Sequence, residues 1–570
     1  MYRVALASLL ALASFAVHAE EWIVEARYTR DVQLARLGAT FQHALIDRAA
    51  RTVTVQTDAA GIDALRAAGF EVGIDVVASA RQRASEPAGA SLDSIPSFAC
   101  YRTVEETAQR VDDLVAAHPT LAVADDLGPT WEREQDATRG YRLRALRVTN
   151  LATVDAEPER PRMVVFGSIH AREYAPAELL TRLAEWLVTG YGNDAQATWL
   201  VDHVDFRLVL HANPDGRKKA EAGVLWRKNT DVSNNLCSGT PTSSYHAGID
   251  LNRNFPFHWN TAPGGSSGAA CDAVYRGPTP ASEPETRYLI NYVAGTQGGD
   301  GRFTGGALPD RKADDVGIAA PSDYAGIFFD IHSYGGLVLW PWGDVTTLSP
   351  NSAAFQVLGR RLAWFNNYTP QRAVQLYPTD GGTIDTFYGQ LGAPSFVMEV
   401  GTDFFQGCTT FESTVLPRNL DALKYAARSA QAPYLLPLGP EAYALSLSAP
   451  RVVQGVPVNV RATIDDRRYR TSSPAQATFA ITAARATVDT LPWHADALPI
   501  ALDAGDGTFG STVETVGGWI ETSALAPGRH LVYVQGSNSA GGGTAGVPDA
   551  VFLDVIAASD AIFIDGFESP

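Results

Sequence analysis

The sequence predicts an α/β body: a mixed, mostly parallel sheet covered by helices, with a small N-terminal α+β unit and a C-terminal antiparallel β-sandwich. Three observations carry this. Between Cys100 and Pro437, short, fully apolar runs alternate with helix-like segments, as strands covered on both faces require. After Leu438, short segments of alternating polarity separated by Gly, Pro and Asp replace them, which is the texture of antiparallel strands. The 570 residues also exceed what one core holds.

Residues 1–19 read as an export signal. Arg3 gives a positive start, Val4 to Val17 form a short apolar run, and Val17-His18-Ala19 ends in a small-residue cleavage pattern. The run is too short for a membrane anchor, and no other stretch is apolar and long enough to span a bilayer. The expected destination is secreted, extracellular or periplasmic. In residues 20–80, Trp22-Ile23-Val24 and Thr52-Val53-Thr54-Val55 read as strands and Ala60 to Ala68 as a helix. Residues 81–97, rich in Ala, Ser, Glu and Pro, read as a linker.

The body spans 98–437. Met163-Val164-Val165-Phe166, Phe206 to Leu210, Ile327 to Ile331 and Phe396-Val397-Met398 are its strand-like runs. Pro176 to Val188 is a helix, with Pro near its start and Leu179, Leu180, Leu183 and Leu187 on one face. Such sheets bind ligands at the carboxyl ends of their strands. In the β-domain, 438–556, Val458 to Thr463 and His530 to Val534 alternate. The tail 557–570 carries Ile562 to Glu568, a sorting or processing tag or a last strand.

The net charge of −18, from 45 Lys+Arg against 63 Asp+Glu, excludes the basic face a nucleic-acid binder needs and favours solubility. Four cysteines, Cys100, Cys237, Cys271 and Cys408, predict two disulfides in an oxidising compartment, with three connectivities open.

The chemistry begins at Gly167-Ser168-Ile169-His170-Ala171-Arg172-Glu173, between an apolar strand and the helix from Pro176. A His and a Glu three residues apart on such a turn aim two donors at one ion. Two His and one Glu suit zinc and leave a fourth position for water. The pair alone is a weak signal, so a third ligand is needed. His332, at the end of the strand from Ile327, fits best, with His211 a weak reserve. Glu399 sits inside an apolar strand-like segment, where a charge needs a reason; the functional one is proton transfer.

Ordered blocks from about Cys100 to Tyr434 resemble the zinc carboxypeptidases related to pancreatic carboxypeptidase A. They are His170-Ala171-Arg172-Glu173, Asn213-Pro214-Asp215-Gly216, Leu225-Trp226-Arg227-Lys228 and Gly248 to Phe255, then His332-Ser333-Tyr334 with Pro341-Trp342-Gly343, Tyr377 to Asp385 and Phe396-Val397-Met398-Glu399. The resemblance implies one Zn²⁺ per chain on His170, Glu173 and His332, with Glu399 as catalytic carboxylate and Arg227 supporting the oxyanion. It implies a clamp of Asn252, Arg253 and the mobile phenol Tyr377 for a free C-terminus, with Arg172 as an auxiliary carboxylate site. Arg suits a carboxylate through its bidentate fork. Ile384 matches the bottom of the side-chain pocket and, with Leu339, Gly343 and Val397, favours hydrophobic C-terminal residues; Thr379 and Asp380 near the rim pull towards basic ones.

Peptides or proteins with a free C-terminus are the implied partners of a monomer. Cys237 and Cys271 bracket the Asn252–Arg253 loop and are expected to pair, which leaves Cys100 with Cys408. The N-terminal unit reads as a removable pro-segment, although it is short beside the family's usual one; a permanent accessory domain is the alternative. Gly298 to Pro321 reads as an insert. Two rival functions are another zinc amidohydrolase of the same fold, such as a peptidoglycan peptidase, and a non-catalytic binding protein.

Overall fold

The computed structural model describes residues 22–557 and 559, apart from 38–40, 42–43, 49, 77, 80–93, 155–156, 158, 235, 239–240, 314–316 and 471–474. The export signal, most of the linker and all but two residues of the C-terminal tail lie outside the described residues.

The central sheet has eight strands: β1 (Ala122–Pro129), β2 (Arg142–Val148), β3 (Arg162–Gly167), β4 (Asp205–Val209), β5 (Ile327–His332), β6 (Leu337–Trp340), β7 (Thr369–Arg372) and β8 (Ser395–Glu399). Their order is β7-β6-β8-β5-β3-β4-β2-β1. The middle four run parallel, whereas β6 is antiparallel to β8 and β2 is antiparallel to both β4 and β1. The sheet is therefore mixed with a parallel centre. Every residue of β5 and β8 is buried, which is why both read as largely apolar runs without alternation.

Register places the site. His332 on β5 pairs with Glu399 on β8, and Ile331 pairs with Gly167, the last residue of β3. Three strand ends that carry or precede the candidate residues thus meet at one edge. Helix α1 (Ala175–Gly190) packs on β3 and β5 through Leu179, Leu180, Leu183 and Leu187, two residues longer at its carboxyl end than its apolar stripe implies. Helix α2 (Pro284–Val293) lies against β1, and α3 (Thr383–Leu391) against β5 and β8.

At the N-terminus, strands Trp22–Arg27, Leu45–Asp47, Thr52–Thr57 and Glu71–Ile74 form an antiparallel sheet with the helix Ala59–Ala67. Asp58 caps that helix by accepting from Gly61 N at 2.8 Å. After Gly439, strands from Glu441 to Ile556 form one hydrogen-bonded path, antiparallel except at its end, where Arg451–Val453 pairs parallel to Asp549–Ile556; the short strand Thr544–Ala545 pairs off this path. Val458, Val460, Ala462 and Ile464 alternate inward to a core shared with Ile481, Val532 and Leu553. Disulfides join Cys100 to Cys408 and Cys237 to Cys271.

Buried charge fastens these C-terminal strands to the body. Arg361 and Asp466 are both fully buried, with Nη2 3.2 Å from Oδ1. Arg361 also donates to the carbonyls of Pro437 and Gly439 and lies 3.8 Å from the Tyr469 ring centroid. Asp466→Ala leaves that guanidinium buried without its anion, a loss of about 3–5 kcal/mol. A clear fall in the thermal midpoint is expected by calorimetry, with Asp465→Ala as the milder control.

Candidate active site

The turn from β3 into α1 carries His170 and Glu173. The Glu173 amide donates to the His170 carbonyl at 3.2 Å, which curls the two side chains to one side. His170 Nδ1 lies 2.8 Å from Glu173 Oε1, and His332 Nδ1 lies 3.1 Å from Glu173 Oε2 and 3.0 Å from His170 Nδ1. All three residues are buried, and they are the one such metal-ligand group among the described residues.

The outer ring nitrogens decide what the inner ones do. His170 Nε2 is 3.2 Å from Asp250 Oδ1, and His332 Nε2 is 3.0 Å from Asp330 Oδ2. A carboxylate accepts only, so with a cation among the inner atoms each imidazole donates outward and turns its lone pair inward. Two lone pairs and a carboxylate converging at this distance repel one another unless a cation lies between them. The donor set and its outer carboxylates match a zinc site.

Asp250 does more than orient His170. Its Oδ2 accepts from Arg227 Nε and Nη2 at 3.0 and 2.9 Å, and its Oδ1 accepts from Asn252 N at 3.0 Å. Burial would raise its pKa, but Arg227 and His170 hold it well below the usual range. His246, in loop-like sequence, is buried; it stacks on Trp226 and accepts from the Arg227 amide at 3.3 Å. Asn213 donates to the Ile169 and Lys228 carbonyls, so the His170 turn and the Arg227 segment are one unit.

One cavity brings together His170 and His332 with Asn252, Arg253, Tyr377 and Glu399. Arg253 is held by donating from Nε to Gly265 O at 2.8 Å and from Nη1 to Asn252 O at 2.6 Å. Gly381 has φ +62°, and an added Cβ would stand 2.4 Å from the Arg253 carbonyl, so only glycine lets this loop lie on the Asn252–Arg253 turn. The cavity's apolar wall is Leu339, Leu376, Ile384 and Val397. Asp380, expected near the rim, is buried and accepts from Ala262 N at 2.9 Å instead.

Arg172 and Arg227 do not line the cavity. Arg172 stacks over Phe404 at 4.1 Å and donates to Ser243 O at 2.9 Å. His211, the reserve ligand, is buried elsewhere with Nε2 3.3 Å from Thr107 Oγ1. The sequence reading missed Asp250, Asp330 and Thr383. Asp330 was legible: it interrupts an apolar run two residues before His332, on the same face of the strand.

A buried His-Glu-His cluster at the carboxyl ends of a parallel sheet, facing a carboxylate across one cavity, defines a metal-dependent hydrolase. The zinc carboxypeptidase family profile matches residues 107–423, more than half of the chain, and the chain belongs to that family. Carboxypeptidase A1 of Rattus norvegicus is 26% identical over 338 residues, covering 57% of this chain and 68% of the rat protein. Zinc carboxypeptidase A 1 of Anopheles gambiae is 28% identical over 298 residues, covering 51% of this chain and 57% of its own length. The crystal structure of carboxypeptidase A from Helicoverpa armigera shares the fold, with a TM-score of 0.55 at 20% identity over 73% of this chain and 99% of that one.

Next to Arg227, Asn229 donates to Glu283 at 2.7 Å, and Glu285 accepts from Trp131 N at 2.8 Å. Burial, with the charge of Glu283, pushes Glu285 up to about 8. The folded state therefore keeps a proton that the unfolded chain releases near its ordinary value, and stability falls as pH rises towards 8. Glu285→Gln keeps the acceptor and removes the titration. Its thermal midpoint should fall less steeply than that of the unaltered protein between pH 5 and 8; parallel curves would refute this assignment.

Proposed function

We propose that the protein is an exported carboxypeptidase that removes one residue at a time from peptide C-termini, with a preference for hydrophobic side chains. The observation that carries this is the shared cavity: His170 and His332, with Glu173 buried behind them, Glu399 in register with His332, and the Asn252–Arg253–Tyr377 clamp meet at it. The first group holds zinc, the last a terminal carboxylate, and Glu399 stands by the cluster.

Zinc bound there would polarise the scissile carbonyl and make a water acidic enough to attack at neutral pH. The rest is the work of this chain's residues. Arg253 and Asn252 hold the terminal carboxylate, with Tyr377 closing over it, which places the last peptide bond at the cluster and excludes an amidated end. Glu399 takes the proton of the attacking water and returns it to the departing amine nitrogen. Arg227, fixed through two nitrogens by Asp250 behind the cavity lining, would support the oxyanion only where the tetrahedral carbonyl comes within its reach. Arg172, stacked and bonded to backbone, would act on the carboxylate only after leaving these partners.

Two further observations support the side-chain preference. The wall is aliphatic, and Asp385, which lines the cavity along with Glu399, accepts from the Gly343 amide with both oxygens at 3.1 and 2.9 Å. Burial and the neighbouring Asp344 push Asp385 up to about 7, which weakens its pull on a cationic side chain near neutral pH. The reading extends to the flanking units. Arg48 Nη2 donates to the Gln375 carbonyl at 2.6 Å, two residues before Tyr377, which fits a removable pro-segment resting on the clamp. The C-terminal strands, 438–556, read as a β-sandwich docked on the body, and export follows from residues 1–19.

Glu399→Gln should lower kcat on a blocked dipeptide ending in Phe by several orders of magnitude while zinc content stays at one per chain. His170→Ala should lose the metal itself, and a chelator should abolish activity until zinc is restored. Steady-state kinetics with metal analysis checks all three. Release of Phe, Tyr or Leu is expected to exceed that of Arg or Lys from matched peptides; faster release of Arg would overturn the preference.

A further inference from the structure

Asp330 is fully buried in the middle strand β5, where an ionised carboxylate is costly unless partnered. Its Oδ2 lies 3.0 Å from His332 Nε2 and accepts from Thr383 Oγ1 at 2.7 Å. Thr383 opens α3 next to Ile384, and its amide donates to Asn252 Oδ1 at 2.9 Å. That bond fixes the Asn252 amide and leaves its Nδ2 3.2 Å from the same His332 Nε2. One ring nitrogen thus faces an acceptor and a donor, and it satisfies only one.

We propose that Asp330 is a positioning residue that settles this contest, fixing the tautomer of His332 and tying the metal ligand to the clamp and to the pocket helix. The carboxylate accepts only, so it keeps the hydrogen on Nε2 and leaves the Nδ1 lone pair aimed at His170 and Glu173. The same choice keeps the Asn252 Nδ2 hydrogens off the imidazole and directs them to a substrate carboxylate. Thr383 relays the arrangement: one side chain bonds Asp330 while its backbone sets Asn252. Without Asp330, Asn252 would donate to Nε2, and Nδ1 would carry a hydrogen towards the metal position.

This rests on His170, Glu173 and His332 being the ligands, and the two claims separate in one experiment. Zinc dissociation constants are measured on the full chain by competition with a chromophoric chelator, for the unaltered protein, His170→Ala, Asp330→Asn and Asp330→Ala. Apo-protein thermal midpoints are recorded beside them. Outer-shell partners of a metal-bound imidazole affect affinity by about 10–100-fold. Asp330→Ala is expected towards the upper end and Asp330→Asn, which keeps one acceptor oxygen and the side-chain shape, towards the lower. If the unaltered protein takes no single tight zinc, or His170→Ala binds it equally well, the ligand assignment fails. If that assignment holds and Asp330→Asn binds zinc within twofold of the unaltered protein, the positioning role is overturned, whatever happens to the midpoints. Should Asp330→Ala not fold, the Asn variant alone decides.

Discussion

A buried charge must find a partner, and in this protein that requirement organises the site. Asp250 and Asp330 lie in the interior at the carboxyl edge of the sheet, and each meets the outer nitrogen of one imidazole. Their pull turns both Nδ1 atoms towards Glu173. Asp250 simultaneously fixes Arg227 and begins the Asn252–Arg253 turn, so His170, Arg227 and that turn share one anchor. Water would screen and loosen such contacts; in a dry interior they hold their geometry.

The parallel centre of the sheet makes the anchoring effective. Because β3, β5 and β8 run together and in register, Gly167, Ile331 and His332, and Glu399 arrive at one level. Residues distant in sequence are then placed by backbone hydrogen bonds instead of by loops. The clamp is the exception, since it rides on the 250–253 turn and the 377–383 loop. Those two lock through Gly381 against the Arg253 carbonyl and Thr383 against Asn252.

How much of this was legible in the sequence follows from the range of the forces involved. Strands buried on both faces show as apolar runs, and α1 shows through its leucine stripe, because burial and periodicity are local signals. His170, Glu173 and Glu399 were readable because a polar group at a strand end or inside an apolar run needs an explanation. The partner of His170, Asp250, is 80 residues away in the chain, and no local pattern connects them. Asp330 stood beside His332 but was absorbed into the apolar run around it. Asp380 was read at the pocket rim because spacing gives no side-chain direction; its carboxylate turns to the Ala262 amide.

The flanking units meet the body in different ways. The C-terminal strands are joined to it by buried ion pairs, Arg361 with Asp466 and Arg428 with Glu441, and the N-terminal unit touches it through Ile46, packed against the body's core, and through an exposed Arg48 contact to the Gln375 carbonyl. The central claim, that the cavity reads a free C-terminus beside a zinc-bound cluster, is tested most directly by mass spectrometry. A peptide and its C-terminal amide are incubated with the zinc-loaded protein after cleavage in the 81–97 linker. The account predicts that the free peptide loses its last residue while the amide stays intact. Equal cleavage of both, or cuts inside the chain, would contradict it.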